Sequence, residues 1–277
     1  MARTWEVLKR TGRSFYDDQM TQHAAALTYY ALMSLFPAAL LGISLLALLG
    51  QYPSTYDSIM SYLRDVAPAS AIAPIDESLR TALRHKDSAA TAVALSVVIV
   101  LYGTTGVLEA ARRALNVVYE VSDGRSFWRR KTVDVAFTFV LGGLVLATLV
   151  MLFVGGQFAD DLFGFLGLGS SAATAWSIAR WPGALMITML IFALIYYVTP
   201  DVKHRSFRWI TPGAVVGVTL WLGASVGFSF YLSNFAQLTA LYGAFAGAIV
   251  LVSWLWLTNV ALLFGAELDA EIERARS

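Results

Sequence analysis

In the stretch AAALTYYALMSLFPAALLGISLLALLG, residues 24–50, the groups able to do chemistry are Tyr29, Tyr30, Ser34 and Pro37. Proline has no N–H to donate and its ring crowds the carbonyl four residues back, so Pro37 frees the carbonyl of Met33 and predicts a kink. In hydrocarbon such a group needs a hydroxyl, a water or a neighbouring helix, and interrupted spans line cavities. Ser34 stands three residues before the proline on the same side of the helix, and the two tyrosines add hydroxyls one turn earlier. The spacing fits a pathway wall as well as a structural bend packed against a neighbour. Thr104 and Thr105 are the hydroxyls expected to complete a groove with Tyr29, Tyr30 and Ser34.

The rest of the polar inventory inside apolar segments is also neutral: Ser96, Tyr102, Thr138, Ser225, Ser229, Ser253 and Asn259. No GxxxxGK[ST], HExxH or GxSxG occurs, so neither a phosphate-binding loop, a zinc-protease helix nor a serine nucleophile elbow is expected. The chain has no cysteine, which excludes disulfides and thiolate metal sites. His23, His85 and His204 are scattered, and the adjacent pairs Asp17/Asp18 and Asp160/Asp161 are expected to face solvent or headgroups. No catalytic residue, metal site or cofactor is therefore assigned. Glu109, Asp134 and Glu267 fall near span ends rather than centres, so proton coupling through an intramembrane carboxylate is not expected.

These groups must be positioned by membrane-spanning helices. Of 277 residues, 57% are hydrophobic and 14% charged, and uncharged runs of about 20 residues recur, as transmembrane helices require. The predicted fold is all-α, a polytopic bundle of six spans within one integral membrane domain: 24–50, 89–108, 135–159, 181–199, 209–231 and 243–266. Residues 162–179 are also uncharged, but their glycines and serines favour an interfacial or re-entrant segment over a seventh span. With six spans, fifteen Lys and Arg fall on one side of the membrane and five on the other, which places both termini in the cytoplasm. The net charge of +1 gives no field for nucleic acid.

Residues 1–20 read as an amphipathic interfacial helix, with Trp5, Leu8, Phe15 and Tyr16 on one arc and Arg3, Lys9, Arg10 and Arg13 around the remainder. Residues 51–88 read as short extracytoplasmic helices. Gly213/Gly217 and Gly223/Gly227 are GxxxG spacings in the fifth span, and Gly243/Gly247 repeats the spacing in the sixth, for packing within the bundle or between copies. Trp128, Trp176, Trp181 and Trp209 mark span ends.

The segments AAALTYYALMSLFPAALL, LEAARRALNVVYEV, YYVTPDVKHRSFRWITPGAVVG and LYGAFAGAIVLVSWLWLTNVALLFGAELDAEI occur in an order that resembles the YihY/virulence factor BrkB family, once called ribonuclease BN-like. The resemblance covers nearly the whole chain and implies a bacterial inner-membrane protein. It marks Ser34, Pro37, Asn116, Tyr119, Pro200, Gly213, Tyr242, Gly243, Asn259, Gly265 and Glu267. For these it suggests that Asn116 bridges cytoplasmic helix ends and that Glu267 pairs with Arg112 or Arg113. The functional expectation is transport or handling of a lipid or another amphiphilic envelope component. The alternatives are a non-transporting scaffold, built through the glycine faces as a homo-oligomer or with envelope proteins, and an ion-coupled exporter of small solutes. Ribonuclease activity is not expected, because no acidic cluster is spaced to hold catalytic metals.

Overall fold

The computed structural model describes residues 2–48, 103–122, 124–153, 169–202, 209–234 and 245–275. All regular structure among them is helical. The helices are α1 (Ala2–Asp17), α2 (Met20–Leu48), α3 (residues 103–118), α4 (Phe127–Phe153), α5 (Gly169–Val198), α6 (Pro212–Asn234) and α7 (Ala246–Arg274). Four of them contain segments long and apolar enough to cross a bilayer: Phe127–Leu149, Thr174–Val198, Pro212–Asn234 and Ala246–Arg274. The first expected span coincides with α2, most of the second (89–102) lies outside the described residues, and so do residues 51–88.

The third span begins at Phe127 in α4 rather than at 135, and three further boundaries differ from expectation for local reasons. The fourth span begins well before residue 181, because residues 169–179 extend α5 rather than forming a separate interfacial or re-entrant piece. Gly169, Ser170 and Ser171 occupy its first turn, where small polar residues cost little, and the alanines that follow propagate the helix. Arg180 is accommodated inside this helix by donating to the Leu152 carbonyl of α4 at 3.2 Å and lying 5.4 Å over the Trp181 ring. The fifth span starts at Pro212 instead of 209. Thr211 caps α6 by accepting the Ala214 N–H on Oγ1 at 3.0 Å, and proline at the first helical position has no N–H to leave unsatisfied.

The third difference is α7, which continues past Ala266 to Arg274. Its uncharged part, residues 246–266, has the length needed to cross the hydrocarbon, and residues 267–274, which carry Glu267, Asp269, Glu271, Glu273 and Arg274, follow it outside the expected sixth span of 243–266. α2 is helical without interruption through Pro37, so the expected interruption of the first span is absent from its secondary structure.

The chain divides into two compact units. Unit 1 comprises residues 1–21, 111–222 and 260–277, and unit 2 comprises residues 22–110 and 223–259. In unit 1, α4 packs along α5, with Met151 over Gly183. The centre of unit 1 is the end of α7: residues 265–271 are all buried, alongside Leu115, Val118, Tyr196 and Val218.

Candidate functional site

Unit 1 gathers six of the residues marked by the family resemblance: Asn116, Tyr119, Pro200, Gly213, Gly265 and Glu267. Gly213, Gly217 and Gly265 bring the backbones of α6 and α7 into direct contact. A Cβ on Gly213 would fall on the Gly265 carbonyl, and one on Gly265 would fall on the Gly213 carbonyl and lie 2.5 Å from the Tyr196 hydroxyl. Two hydrogen bonds secure the crossing: Gly213 N–H donates to Asp269 Oδ1 at 2.7 Å, and Tyr196 Oη–H donates to the Leu262 carbonyl at 2.6 Å. Asp269 thereby takes one of the orphan N–H groups of the α6 N-terminus, where a negative charge also suits the helix dipole.

A second cluster joins α3 to the end of α5. Asn116 Oδ1 accepts the Asp201 N–H at 3.0 Å. Asp201 in turn accepts from Gly124 N–H and from Arg125 Nε, both at 2.8 Å. The remaining Arg125 nitrogens donate to the carbonyls of Val198 (3.2 Å) and Pro200 (2.6 Å), a cation capping a helix C-terminus. Neither Arg125 nor Asp201 was legible as a site residue; the one available signal was an arginine-bearing polar turn and a Pro-Asp step, each just past a helix end.

The carboxylates of the third cluster depart from expectation. Arg112 pairs with Asp134, and both are buried, so Arg112 is not the partner of Glu267. Glu267 is wholly buried and instead faces Asp18, Glu271 and Arg274. Arg274 is shared among Glu271 (2.7 Å), Glu120 (3.0 Å) and the Val118 carbonyl (2.7 Å). Burial first, then the charge of Asp18 and the hydrogen bond that a protonated acid can give it, push the Glu267 carboxyl up from 4.5 to about 8. Glu271 adds to the rise and Arg274 opposes it. Asp18, expected to be solvated, is thus part of this knot.

α1 is docked on the same end of α7. Ser14 Oγ donates to Glu271 Oε1 at 3.2 Å, Phe15 and Phe264 lie 5.7 Å apart between ring centroids, and Thr11 is fully buried. The expected apolar arc is therefore divided: Phe15 faces unit 1, while Trp5 and Tyr16 are exposed. Gln19 (φ 53°) and Glu120 (φ 52°) adopt the left-handed conformation usual for glycine, just past the ends of α1 and α3.

In unit 2, the described contacts around residues 24–35, 103–106 and 246–259 are between neutral groups. Ser34 Oγ donates to the Ala31 carbonyl of its own helix at 2.9 Å, so its hydroxyl is not turned to the Met33 carbonyl. Tyr30 and Ser34 both face α3, where a Cβ on Gly106 would lie 2.9 Å from the Tyr30 ring and one on Gly103 3.1 Å from Ser34 Cβ. Thr104 and Thr105 lie between those two glycines. Tyr29 is not part of that contact and lines a different space, a cavity of about 580 Å³ with Thr28, Leu32, Ser253, Trp256 and Leu257. The expected single groove is thus two features. Asn259 Nδ2 donates to Thr28 Oγ1 at 3.0 Å, Thr28 donates to the Ala24 carbonyl at 2.7 Å, and Trp254 Nε1 donates to Ser225 Oγ at 3.2 Å. Gly223, Gly227 and Gly247 have no described atom within 4 Å of where a Cβ would be, in contrast to Gly213 and Gly217. Tyr242 and Gly243 lie outside the described residues. Among the described residues, no group of three or more His, Asp or Glu side chains is placed to hold a metal ion.

Residues 11–277 match the family model described as virulence factor BrkB. The chain is 27% identical over 253 residues to the ribonuclease-like protein YfkH of Bacillus subtilis, covering 91% of this chain and 90% of that protein. It is 26% identical over 275 residues to UPF0761 membrane proteins of Xanthomonas campestris and Xanthomonas axonopodis, covering 99% of this chain but only 62% and 63% of those proteins. No solved structure matches the chain. The matched region takes in the glycine crossing, the Asp201 cluster and the Glu267 knot, and the chain belongs to the virulence factor BrkB (YihY) family of bacterial multi-pass inner-membrane proteins.

Proposed function

We propose that this protein binds and moves an amphiphilic component of the envelope, in the first instance a lipid. The observation that carries the reading is the cavity of about 580 Å³ in unit 2, which has the size of a ligand site, roughly 300–1,000 Å³. Its lining joins apolar side chains to the hydroxyls of Thr28, Tyr29 and Ser253 and the indole of Trp256, without a carboxylate, Lys, Arg or His. That mixture suits an acyl chain near a neutral hydrogen-bonding group and does not suit a small ion. Six spans with both termini in the cytoplasm are part of the same reading, supported by the fifteen-to-five distribution of Lys and Arg. On this topology α1 lies at the cytoplasmic interface, with Trp5, Lys9 and Tyr16 exposed.

The test is leaflet exchange of fluorescent phospholipids in proteoliposomes, with Ser253→Trp chosen to fill the cavity. Exchange faster than in protein-free vesicles, and slowed by Ser253→Trp, supports the reading; exchange no faster than in empty vesicles sinks it. A second reading, a scaffold assembled between copies, draws on Gly223 and Gly227, whose GxxxG spacing meets no described neighbour within the chain. Cross-linking at that face separates the two.

A further inference from the structure

We infer that Asp18 and Glu267 form a proton-binding site in unit 1, and that one proton shared between them holds α1 on the end of α7. Glu267 is fully buried, and no described donor reaches either of its carboxylate oxygens. The charged groups facing it are Asp18, from the turn between α1 and α2, and Glu271 and Arg274 on its own helix. Arg274 offsets the neighbouring carboxylates only in part, since its guanidinium is also divided among Glu271, Glu120 and the Val118 carbonyl.

A buried carboxylate without a donor, beside two further carboxylates, is disfavoured as an anion. Adding one proton converts Glu267 from an acceptor lacking a donor into a donor, and Asp18 is the acceptor beside it. The exchange is one proton from water, bound between two carboxyl groups, with no other reactant. α1 stands on this arrangement through Thr11, Ser14 and Phe15, and Asp18 immediately follows its last turn. Loss of the proton leaves two adjacent carboxylates where α1 meets α7, and their repulsion favours release of α1. The inference is independent of the proposed lipid pathway, which lies in unit 2.

Infrared spectroscopy of the full chain in phosphatidylcholine vesicles, titrated from about pH 6 to pH 10, tests the site. A carboxylic-acid carbonyl band should be present at pH 6, disappear as the pH rises, and be missing at every pH in Glu267→Gln. In Asp18→Asn the midpoint of its disappearance should fall by about one unit, as expected when a neighbouring like charge is removed. A wild-type spectrum without the band, a band unchanged in Glu267→Gln, or an unshifted midpoint in Asp18→Asn overturns the proposal.

The chain has no cysteine, so docking of α1 can be followed by maleimide labelling of Thr11→Cys relative to exposed Gly12→Cys, which cancels the intrinsic pH dependence of the thiol. The ratio should rise severalfold across the same titration and stay flat when Glu267→Gln is added. A ratio flat in the otherwise wild-type background overturns the link to α1.

Discussion

The two units bury polar groups by opposite means. Unit 1 buries or half-buries ions and anchors them to backbone: buried Asp269 on an α6 N–H, half-buried Arg125 on the carbonyls ending α5, and half-buried Arg274 on the Val118 carbonyl. Where residues 24–35 and 246–259 are described, unit 2 uses neutral groups and short bonds within or between helices, such as Thr28 with Ala24 and Asn259, and leaves a cavity beside them. Buried charges demand defined partners and so specify a geometry, whereas hydroxyls return to their own helix and leave room for a ligand. The contrast gives unit 1 a fixed architecture, and under the proposed function it leaves unit 2 the room for a ligand.

The sharpest way to break this contrast is to orphan an ion in unit 1. Arg112→Met should cost about 3–5 kcal/mol by leaving Asp134 buried without its guanidinium, and Arg112→Met with Asp134→Leu should recover most of the loss. Thermal unfolding in detergent measures both; an additive double variant would show that the pair is not coupled. Gly265→Ala comes next, at about 1–3 kcal/mol or more, because its Cβ would strike the Gly213 carbonyl and the Tyr196 hydroxyl.

The pH dependence of unit 1 follows from Glu267. Burial and the neighbouring carboxylates raise its pKa in the folded protein, so the stability it contributes is complete below its ordinary value of 4.5 and is lost as pH rises through about 8. The unfolding temperature should fall between about pH 6 and pH 9 and lose that dependence in Glu267→Gln. In unit 2, Thr28→Val should cost about 1 kcal/mol by removing the acceptor of Asn259. Gly227→Ala should change stability by no more than about 0.5 kcal/mol, and a larger loss would place a neighbour on that face.

How much was legible in the sequence depended on the range of the interaction. The apolar runs within α4 to α7 follow from composition, but their ends do not: α5 starts at Gly169 rather than 181, α6 at Pro212 rather than 209, and α7 runs on to Arg274. The ends of α1 and α3 were harder, because Gln19 and Glu120 occupy left-handed positions without the glycine that signals them. Ser34 and Pro37 suggested an interruption, but helix hydrogen bonding continues on either side of one missing N–H, and the serine found an acceptor one turn back.

The ion partners were the least predictable. Arg112 lies near Glu109 and Arg113 in sequence, yet its carboxylate is Asp134, and Glu267 meets Asp18 from the turn between α1 and α2, with Glu271 and Arg274 of its own helix, rather than Arg112. Nothing local distinguishes Asp18 from the neighbouring Asp17, one turned to α7 and the other exposed.

By itself the sequence determined that this chain is an all-helical membrane protein of the BrkB family, because the cost of carrying backbone and charge into hydrocarbon acts on each segment separately. Only the tertiary structure decided which carboxylate meets which cation, which glycines touch another backbone and which face open space, and where a cavity remains. Those outcomes depend on segments far apart in the chain arriving at the same place, and no local pattern encodes the meeting.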